Sequence, residues 1–220
     1  MKNTIFTGMA TAIVTPMTRD GIDYEALGRF LEFQIENGIN AIVVMGTTGE
    51  NATIEYEDQK EIIRFTVEKV AKRVPVIAGT GTNNTEHVIT NTRNACAVGA
   101  DAVLVVTPYY NKATQNGLIK HYERIADYSA KPVIMYNVPG RTGCNLAPQS
   151  CAILADGAVE TSRSTQVWST VNFDLRTGTE ITFADLFIDA EAAKTFIESY
   201  LDEQVAPELS AHLPAGTLTP

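Results

Sequence analysis

Residues 41–50 read Ala-Ile-Val-Val-Met-Gly-Thr-Thr-Gly-Glu, an apolar run that ends in a glycine-rich segment. Such a run, rich in β-branched residues, predicts a buried strand followed by a turn. The next stretch, Glu57 to Lys72, has a helical period, with acidic residues at its start and basic residues at its end. That charge order suits the helix dipole. Residues 41–72 therefore predict one strand–helix unit.

The same alternation runs through about the first 155 residues, at roughly thirty residues per unit. The predicted strands are Thr11 to Thr15, Ala41 to Met45, Val74 to Gly79, Ala102 to Thr107 and Pro132 to Val138. The predicted helices are Tyr24 to Asn37, Glu57 to Lys72, Glu86 to Val98, Asn116 to Tyr128 and Pro148 to Ala155. Near-continuous apolar strands indicate a parallel sheet covered on both faces. A (β/α)8 barrel, which needs about 250 residues, and a doubly wound open sheet both fit this pattern.

The alternation is predicted to stop after Ala155. Beyond it, Val167 to Phe173 and Glu180 to Phe183 predict short strands around a turn, and Ala190 to Glu203 predicts an acidic amphipathic helix. The charge changes as well, since residues 1–150 hold 14 basic and 15 acidic side chains and residues 151–220 hold 3 and 11. We therefore predict two domains, 1–156 and 157–220.

The composition favours a soluble globular protein acting on a small molecule. The net charge of −9 argues against a nucleic-acid partner or an anionic membrane, because both are bound by clustered basic residues. The sequence has no apolar run of membrane-spanning length and no secretory signal, which predicts a cytoplasmic protein. The three cysteines are interpreted as free thiols.

In parallel α/β folds the loops after the strands form the site, so polar residues there are candidates. After the second strand, the hydroxyls of Thr47 and Thr48 between glycines could hold a carboxylate or merely cap the next helix. After the fourth strand, Tyr110 could pack or carry protons. After the fifth, Tyr136 places a phenol at the rim, and Arg141 makes carboxylate recognition plausible.

Four segments together resemble the signature segments of the dihydrodipicolinate synthase (4-hydroxy-tetrahydrodipicolinate synthase) family: Thr11 to Pro16, Gly46 to Glu50, Thr107 to Asn111 and Tyr136 to Gly143. Their order and spacing also match, which makes the combination far more specific than any one motif. Together with the break in the pattern after Ala155, the resemblance implies an α/β fold, a truncated TIM (β/α)8 barrel of about five βα units, followed by a small α+β tail. It also implies a homotetramer.

The activity implied is that of a class I aldolase-type lyase in lysine and diaminopimelate biosynthesis. In the family, a lysine condenses with pyruvate and the resulting enamine attacks aspartate semialdehyde, with no metal or organic cofactor. By this resemblance Tyr136 relays protons with Thr47 and with Tyr110 of a neighbouring subunit. Thr48 would bind the pyruvate carboxylate, and Arg141 the carboxylate of the semialdehyde.

The family pattern breaks where the Schiff-base lysine is expected, a little over twenty residues beyond Arg141. The stretch Glu160 to Val167 contains no lysine, and arginine cannot replace one because its guanidinium stays protonated. Lys112, Lys131 and Lys194 are poor substitutes by position. We therefore expect an inactive aldolase; a carboxylate-binding protein or a fusion product are the alternatives.

Two further expectations concern the junction near residue 156. Phe173 to Gly178 and Phe183 to Phe187 resemble part of an extracytoplasmic domain of anti-sigma factors. A barrel cut after five strands would leave its first and fifth strands as open edges and expose its interior, which favours aggregation.

Overall fold

The computed structural model describes residues 4–160, 165–169, 172–174 and 179–181. The strands are β1 Ala10–Ala12, β2 Met17–Thr18, β3 Gly21–Ile22, β4 Ala41–Val44, β5 Val76–Gly79, β6 Ala102–Val106, β7 Val133–Asn137, β8 Thr165–Ser169, β9 Asn172–Asp174 and β10 Thr179–Ile181. The helices are α1 Tyr24–Glu36, α2 Tyr56–Val70, α3 Thr85–Ala97, α4 Gln115–Tyr128, α5 Pro139–Thr142 and α6 Pro148–Glu160. Among these residues, no helix has the length and hydropathy that a membrane span requires.

Six strands form one parallel sheet in the order β1-β4-β5-β6-β7-β8. Every neighbouring pair is parallel, and each strand is added beside the preceding strand of the sheet. A doubly wound sheet reverses its strand order at a switch point, whereas a (β/α)8 barrel adds strands in one direction. The observed order is therefore that of a partial TIM-barrel-like fold.

The five predicted strands and five predicted helices of the first 155 residues are all present, but the alternation does not stop after Ala155 as predicted. Helix α6 continues to Glu160, past Ala155. The single strand predicted from Val167 to Phe173 is two strands, and the first of them, β8, pairs in parallel with β7 as a sixth strand of the sheet. Among the described residues β8 pairs with β7 alone, and an edge strand need not carry the apolar run by which central strands are recognised.

The chain divides into two compact units, Met1–Thr170 and Val171–Pro220. In the second unit the structure describes an antiparallel pair, in which Asn172–Asp174 lies opposite Thr179–Ile181. The predicted helix from Ala190 to Glu203 lies outside the described residues. The domain boundary predicted after residue 156 falls within α6 and stays a prediction.

The core covers both faces of the strands. On the helix side, alternate strand residues such as Ile42, Val44 and Met135 pack against the helices. On the other face Ala41, Val43, Ile77, Ala102 and Ile134 are buried together, with Ile5 and Phe6 packed against them. Each fully buried aliphatic side chain contributes about 1.5–3 kcal/mol. The expected exposed interior is therefore wrong for these five strand residues. The expected open edge at the fifth strand is wrong because β8 pairs with β7, whereas among the described residues the first strand, β1, pairs with β4 alone.

Helices α1, α3 and α4 begin at side-chain caps. Asp23 accepts a hydrogen bond from the Ala26 amide at 2.8 Å, and Thr114 accepts one from the Gly117 amide at 3.2 Å. Such caps contribute about 1 kcal/mol each. They fix where each loop ends and therefore where its polar side chains lie.

Candidate functional site

A cavity of about 610 Å³ lies at the carboxyl ends of the central strands. Its walls come from the loops that follow β4, β5, β6 and β7 and from the start of α2. Parallel α/β folds place their ligand sites at this end of the sheet. A second hollow, of about 560 Å³, lies between α1 and α2, away from the strand ends. The first cavity is therefore the candidate site.

Three of the five residues predicted for the site line this cavity: Thr47, Tyr136 and Arg141. Tyr136 is half-buried, whereas Thr47 and Arg141 are exposed to the opening. Thr48 and Tyr110 do not line the cavity, and both are exposed, Tyr110 to 88%. The catalytic and binding roles assigned to these five residues stay predictions.

The loop that carries Thr47 is held by close backbone packing. Met45, directly after β4, is fully buried and has a positive φ of 56°, which is unusual for a residue other than glycine. A Cβ atom at Gly79 would lie 2.0 Å from the Met45 carbonyl oxygen, so only glycine fits there. At the far end of the loop, the Thr15 hydroxyl donates to the Gly49 carbonyl at 2.7 Å. Thr47 is thus fixed from both sides.

The loop after β6 carries Tyr110 in an uncommon backbone conformation. Its φ is 69°, and the backbone amide donates to the Thr142 carbonyl at 3.3 Å. Asn111 anchors the same loop by donating from its side-chain amide to the Asn83 carbonyl at 2.9 Å. A residue with positive φ persists where its surroundings fix it, and such residues concentrate at functional sites.

The turn after β7, which carries Arg141, is tied to the segment that follows it. The Asn137 side chain donates to Asn145 Oδ1 at 2.8 Å and accepts from the Leu146 amide at 3.0 Å. Gln115, at the start of α4, donates to the Asn145 carbonyl at 2.7 Å and accepts from the Ala147 amide at 2.9 Å. Sequence reasoning assigned a role to neither residue. For Gln115 the reason is that its partners lie 30 and 32 residues away in the sequence.

Among the described residues, the charged side chains that line the cavity are Glu55 and Arg141, and no lysine lines it. Lys112 is exposed on the loop beyond Tyr110. On β8, which reads Thr-Gln-Val-Trp-Ser, the residue in register with Tyr136 is Trp168. The cavity can therefore offer hydroxyls and one guanidinium to a carboxylate.

Another phenol, that of Tyr122, is structural. It is buried in the helix-side core and donates to the Val105 carbonyl at 3.0 Å. Burial raises the pKa of Tyr122 far above its ordinary value. Tyr136, which lines the cavity, is thus the better placed phenol for proton transfer.

The sequence model of the dihydrodipicolinate synthetase family matches residues 5–161 of this chain. The 4-hydroxy-tetrahydrodipicolinate synthase of Acetivibrio thermocellus is 53% identical over 156 residues, which cover 71% of this chain and 53% of that protein. The chain thus spans about half the length of this curated relative.

Solved structures give the same result. Dihydrodipicolinate synthase from Thermotoga maritima is 31% identical with a TM-score of 0.74, over 93% of this chain and 86% of that chain. A structure described as the first monomeric dihydrodipicolinate synthase variant is 40% identical with a TM-score of 0.68, over 76% of this chain and 63% of that one. This chain belongs to the dihydrodipicolinate synthetase family.

Proposed function

We propose that this chain carries the substrate-binding groups of a pyruvate-dependent aldolase site without the lysine that forms the Schiff base. The observation that carries the proposal is the cavity at the strand ends, whose lining among the described residues includes Thr47, Tyr136 and Arg141 and no lysine. By family, the reaction is the condensation of pyruvate with aspartate semialdehyde in lysine and diaminopimelate biosynthesis. A cytoplasmic location and a homotetramer are proposed with it.

In this proposal each residue has a chemical task. The planar guanidinium of Arg141 forms paired hydrogen bonds to the semialdehyde carboxylate. The Tyr136 phenol passes protons together with the Thr47 hydroxyl, because a phenol must be hydrogen-bonded into a relay to transfer protons near neutral pH. Thr48 would bind the pyruvate carboxylate.

Tyr110 has a separate place in the proposal. Its side chain is 88% exposed and does not line the cavity of its own chain. We assign it to the proton relay of a neighbouring subunit, which such an exposed phenol can reach. The fixed backbone of its loop supports this assignment, because a side chain that acts across an interface must be held in one direction.

The covalent step needs an amine that can lose its proton. The stretch Glu160 to Val167 and strand β8 contain no lysine. Lys131 comes just before β7, at the opposite end of the strands from the cavity. We therefore propose that the chain binds carboxylates without forming the imine. The resemblance of the tail to an anti-sigma-factor domain, and with it an origin by fusion, stays a prediction.

Borohydride trapping tests the absence of the imine. The purified chain is incubated with pyruvate and sodium borohydride, which reduces an imine to a stable amine, and its intact mass is measured. We expect no adduct, while the full-length Acetivibrio thermocellus relative labels under the same conditions. An adduct that peptide mapping assigns to one lysine, such as Lys112 or Lys194, would show that the chain has a nucleophile.

A further inference from the structure

The hydroxyl of Thr142 lies between two loops of the site, and all of its hydrogen-bonding positions are used. The residue is 6% exposed. Its oxygen accepts from the Cys144 amide at 3.2 Å and from the Thr107 hydroxyl at 3.4 Å. Its own proton faces the Cys144 carbonyl at 2.8 Å and the Val138 carbonyl at 3.0 Å. Since a hydroxyl has one donor and two acceptor positions, this arrangement saturates it.

The backbone of Thr142 reaches the second loop. Its carbonyl accepts the hydrogen bond from the amide of Tyr110, the residue with a φ of 69°. The Thr107 hydroxyl approaches Thr142 from the start of the same loop, and Thr107 is fully buried. The two loops therefore meet at Thr142 through one side-chain bond and one backbone bond.

Arg141 is the residue before Thr142, in the short helix α5. Gly143, directly after Thr142, has a positive φ of 64°, so the chain turns sharply at this point. Any displacement of the Thr142 backbone would carry the Arg141 guanidinium with it. It would also remove the acceptor that holds the Tyr110 amide.

We infer that Thr142 is a positioning residue that holds Tyr110 and Arg141 in one arrangement. The inference rests on the proposed function, because it treats Arg141 as the carboxylate-binding group of this chain and Tyr110 as a residue of the proton relay. If Tyr110 serves a neighbouring site, Thr142 mechanically links the two sites. A displacement of Arg141 in one site would then also displace Tyr110 in the site of the neighbouring subunit.

The test compares Thr142→Val, which keeps the shape and removes the hydroxyl, with Thr142→Ser, which keeps the hydroxyl. The control is Thr90→Val, because the exposed Thr90 hydroxyl also donates to the carbonyl four residues before it, at 3.0 Å. Amide exchange is measured by NMR on the full chain. A buried donor that loses its acceptor destabilises the local structure, and the loss in free energy is enough to speed local opening about tenfold or more.

We expect the amides of Tyr110 and Cys144 to exchange about tenfold faster in Thr142→Val, and at the original rate in Thr142→Ser and Thr90→Val. The amide of Val105, in the core of β6, reports whether the whole fold has been weakened. Faster exchange at Cys144 with no change at Tyr110 would overturn the inference, because Thr142 would then support only its own turn.

A second variant covers the case in which Thr142→Val unfolds the chain. Thr107→Val removes the side-chain bond between the two loops but leaves the bonds of Thr142 within its own turn. The Tyr110 amide is expected to exchange faster in this variant as well. If it exchanges at the original rate while the core amides are unchanged, the Thr142 hydroxyl does not position Tyr110.

Ligand binding separates this inference from the proposed function. Succinic semialdehyde, which has the aldehyde and carboxylate of the second substrate, is titrated into each variant. Failure of the unaltered chain to bind it contradicts the proposed function, whereas the exchange measurements still decide the link to Tyr110. If the unaltered chain binds, Thr142→Val should bind about tenfold more weakly and Thr142→Ser equally well. Equal binding by all three would show that Thr142 does not position Arg141.

Discussion

Gly79→Ala is expected to be among the most damaging single-methyl additions in the described part of the chain. The added carbon would lie 2.0 Å from the Met45 carbonyl oxygen, 2.5 Å from the Met45 carbonyl carbon and 2.9 Å from the Gly46 nitrogen. All three are backbone atoms, so no side chain can rotate away. Gly79 has no positive φ, so the cost is steric rather than conformational.

The size of the effect follows from how far the backbone must move. To reach an ordinary contact of 3.4 Å, the Met45 carbonyl oxygen would have to shift by about 1.4 Å. Met45 is fully buried with a φ of 56°, and β4 is paired with β5 up to the preceding residue. Overpacking in a rigid core usually costs about 1–3 kcal/mol, and we expect the upper end of that range or more because backbone has to move.

The measurement is urea unfolding followed by circular dichroism, with Gly140→Ala as the matched control. At Gly140 an added Cβ meets nothing within 4 Å, and the residue lies in α5 with an ordinary φ. The control should therefore keep the free energy of unfolding of the original chain, or gain up to about 1 kcal/mol from better helix propensity. The slope of the free energy of unfolding against urea concentration should be unchanged in both variants.

A free energy of unfolding for Gly79→Ala within about 0.5 kcal/mol of the original chain would refute this reasoning. It would mean that the loop from Met45 to Thr47 can move freely, so the geometry described for Thr47 would not be fixed by its surroundings. A large loss should also weaken ligand binding in whatever fraction stays folded. The reason is that Thr47 lies only two residues beyond Met45.

Three further outcomes follow from the site and core. Arg141→Ala should weaken the binding of succinic semialdehyde about tenfold or more in a calorimetric titration, while Arg29→Ala, on α1, leaves it unchanged; equal losses would argue against a specific carboxylate site. Burial lowers the pKa of His121 to about 4. Above pH 6.5 the imidazole is neutral in both the folded and the unfolded chain. Between about pH 6.5 and 4 only the unfolded chain takes up the proton, so the folded state loses stability as the pH falls. Urea midpoints measured across that range should depend less on pH in His121→Gln, and an unchanged pH dependence would contradict this assignment. Thr15→Val should cost about 1–3 kcal/mol in urea unfolding because the Gly49 carbonyl loses a buried donor, and Thr15→Ser should recover most of it; no difference between the two variants would show that this hydroxyl does not hold the loop.

The central elements could be predicted because their local signals are strong. Strands such as Ala41–Val44 are continuous apolar runs, and helices such as Tyr56–Val70 carry an apolar stripe with charges in the favourable order. Strand β8 was only partly predicted because it begins with polar residues, and its place in the sheet depends on pairing with β7. The choice between a barrel and a doubly wound sheet could not be made from periodicity, because strand order is a property of the pairings. It rested on the resemblance of the four segments to the family.

The site could be predicted only where it lies at strand ends. Thr47, Tyr136 and Arg141 follow recognisable strands and line the cavity. Thr142 and Gln115 were missed because their partners are far away in the sequence: Thr142 meets Thr107 across 35 residues, and Gln115 meets Asn145 across 30. Such contacts join segments that are far apart in the sequence, so no local pattern predicts them.

The sequential order of the parallel sheet has a consequence for synthesis of the chain. Each strand of the six-stranded sheet pairs with the preceding strand of that sheet, so every step of assembly joins neighbouring segments of the chain at a modest entropic cost. The nascent sheet can grow unit by unit as it leaves the ribosome, with β4, β5, β6, β7 and β8 each docking on the last strand in place. Strand β1, which among the described residues pairs with β4 alone, is then the earliest edge to form. It is also the edge that a chaperone or a second nascent chain would have the longest time to meet.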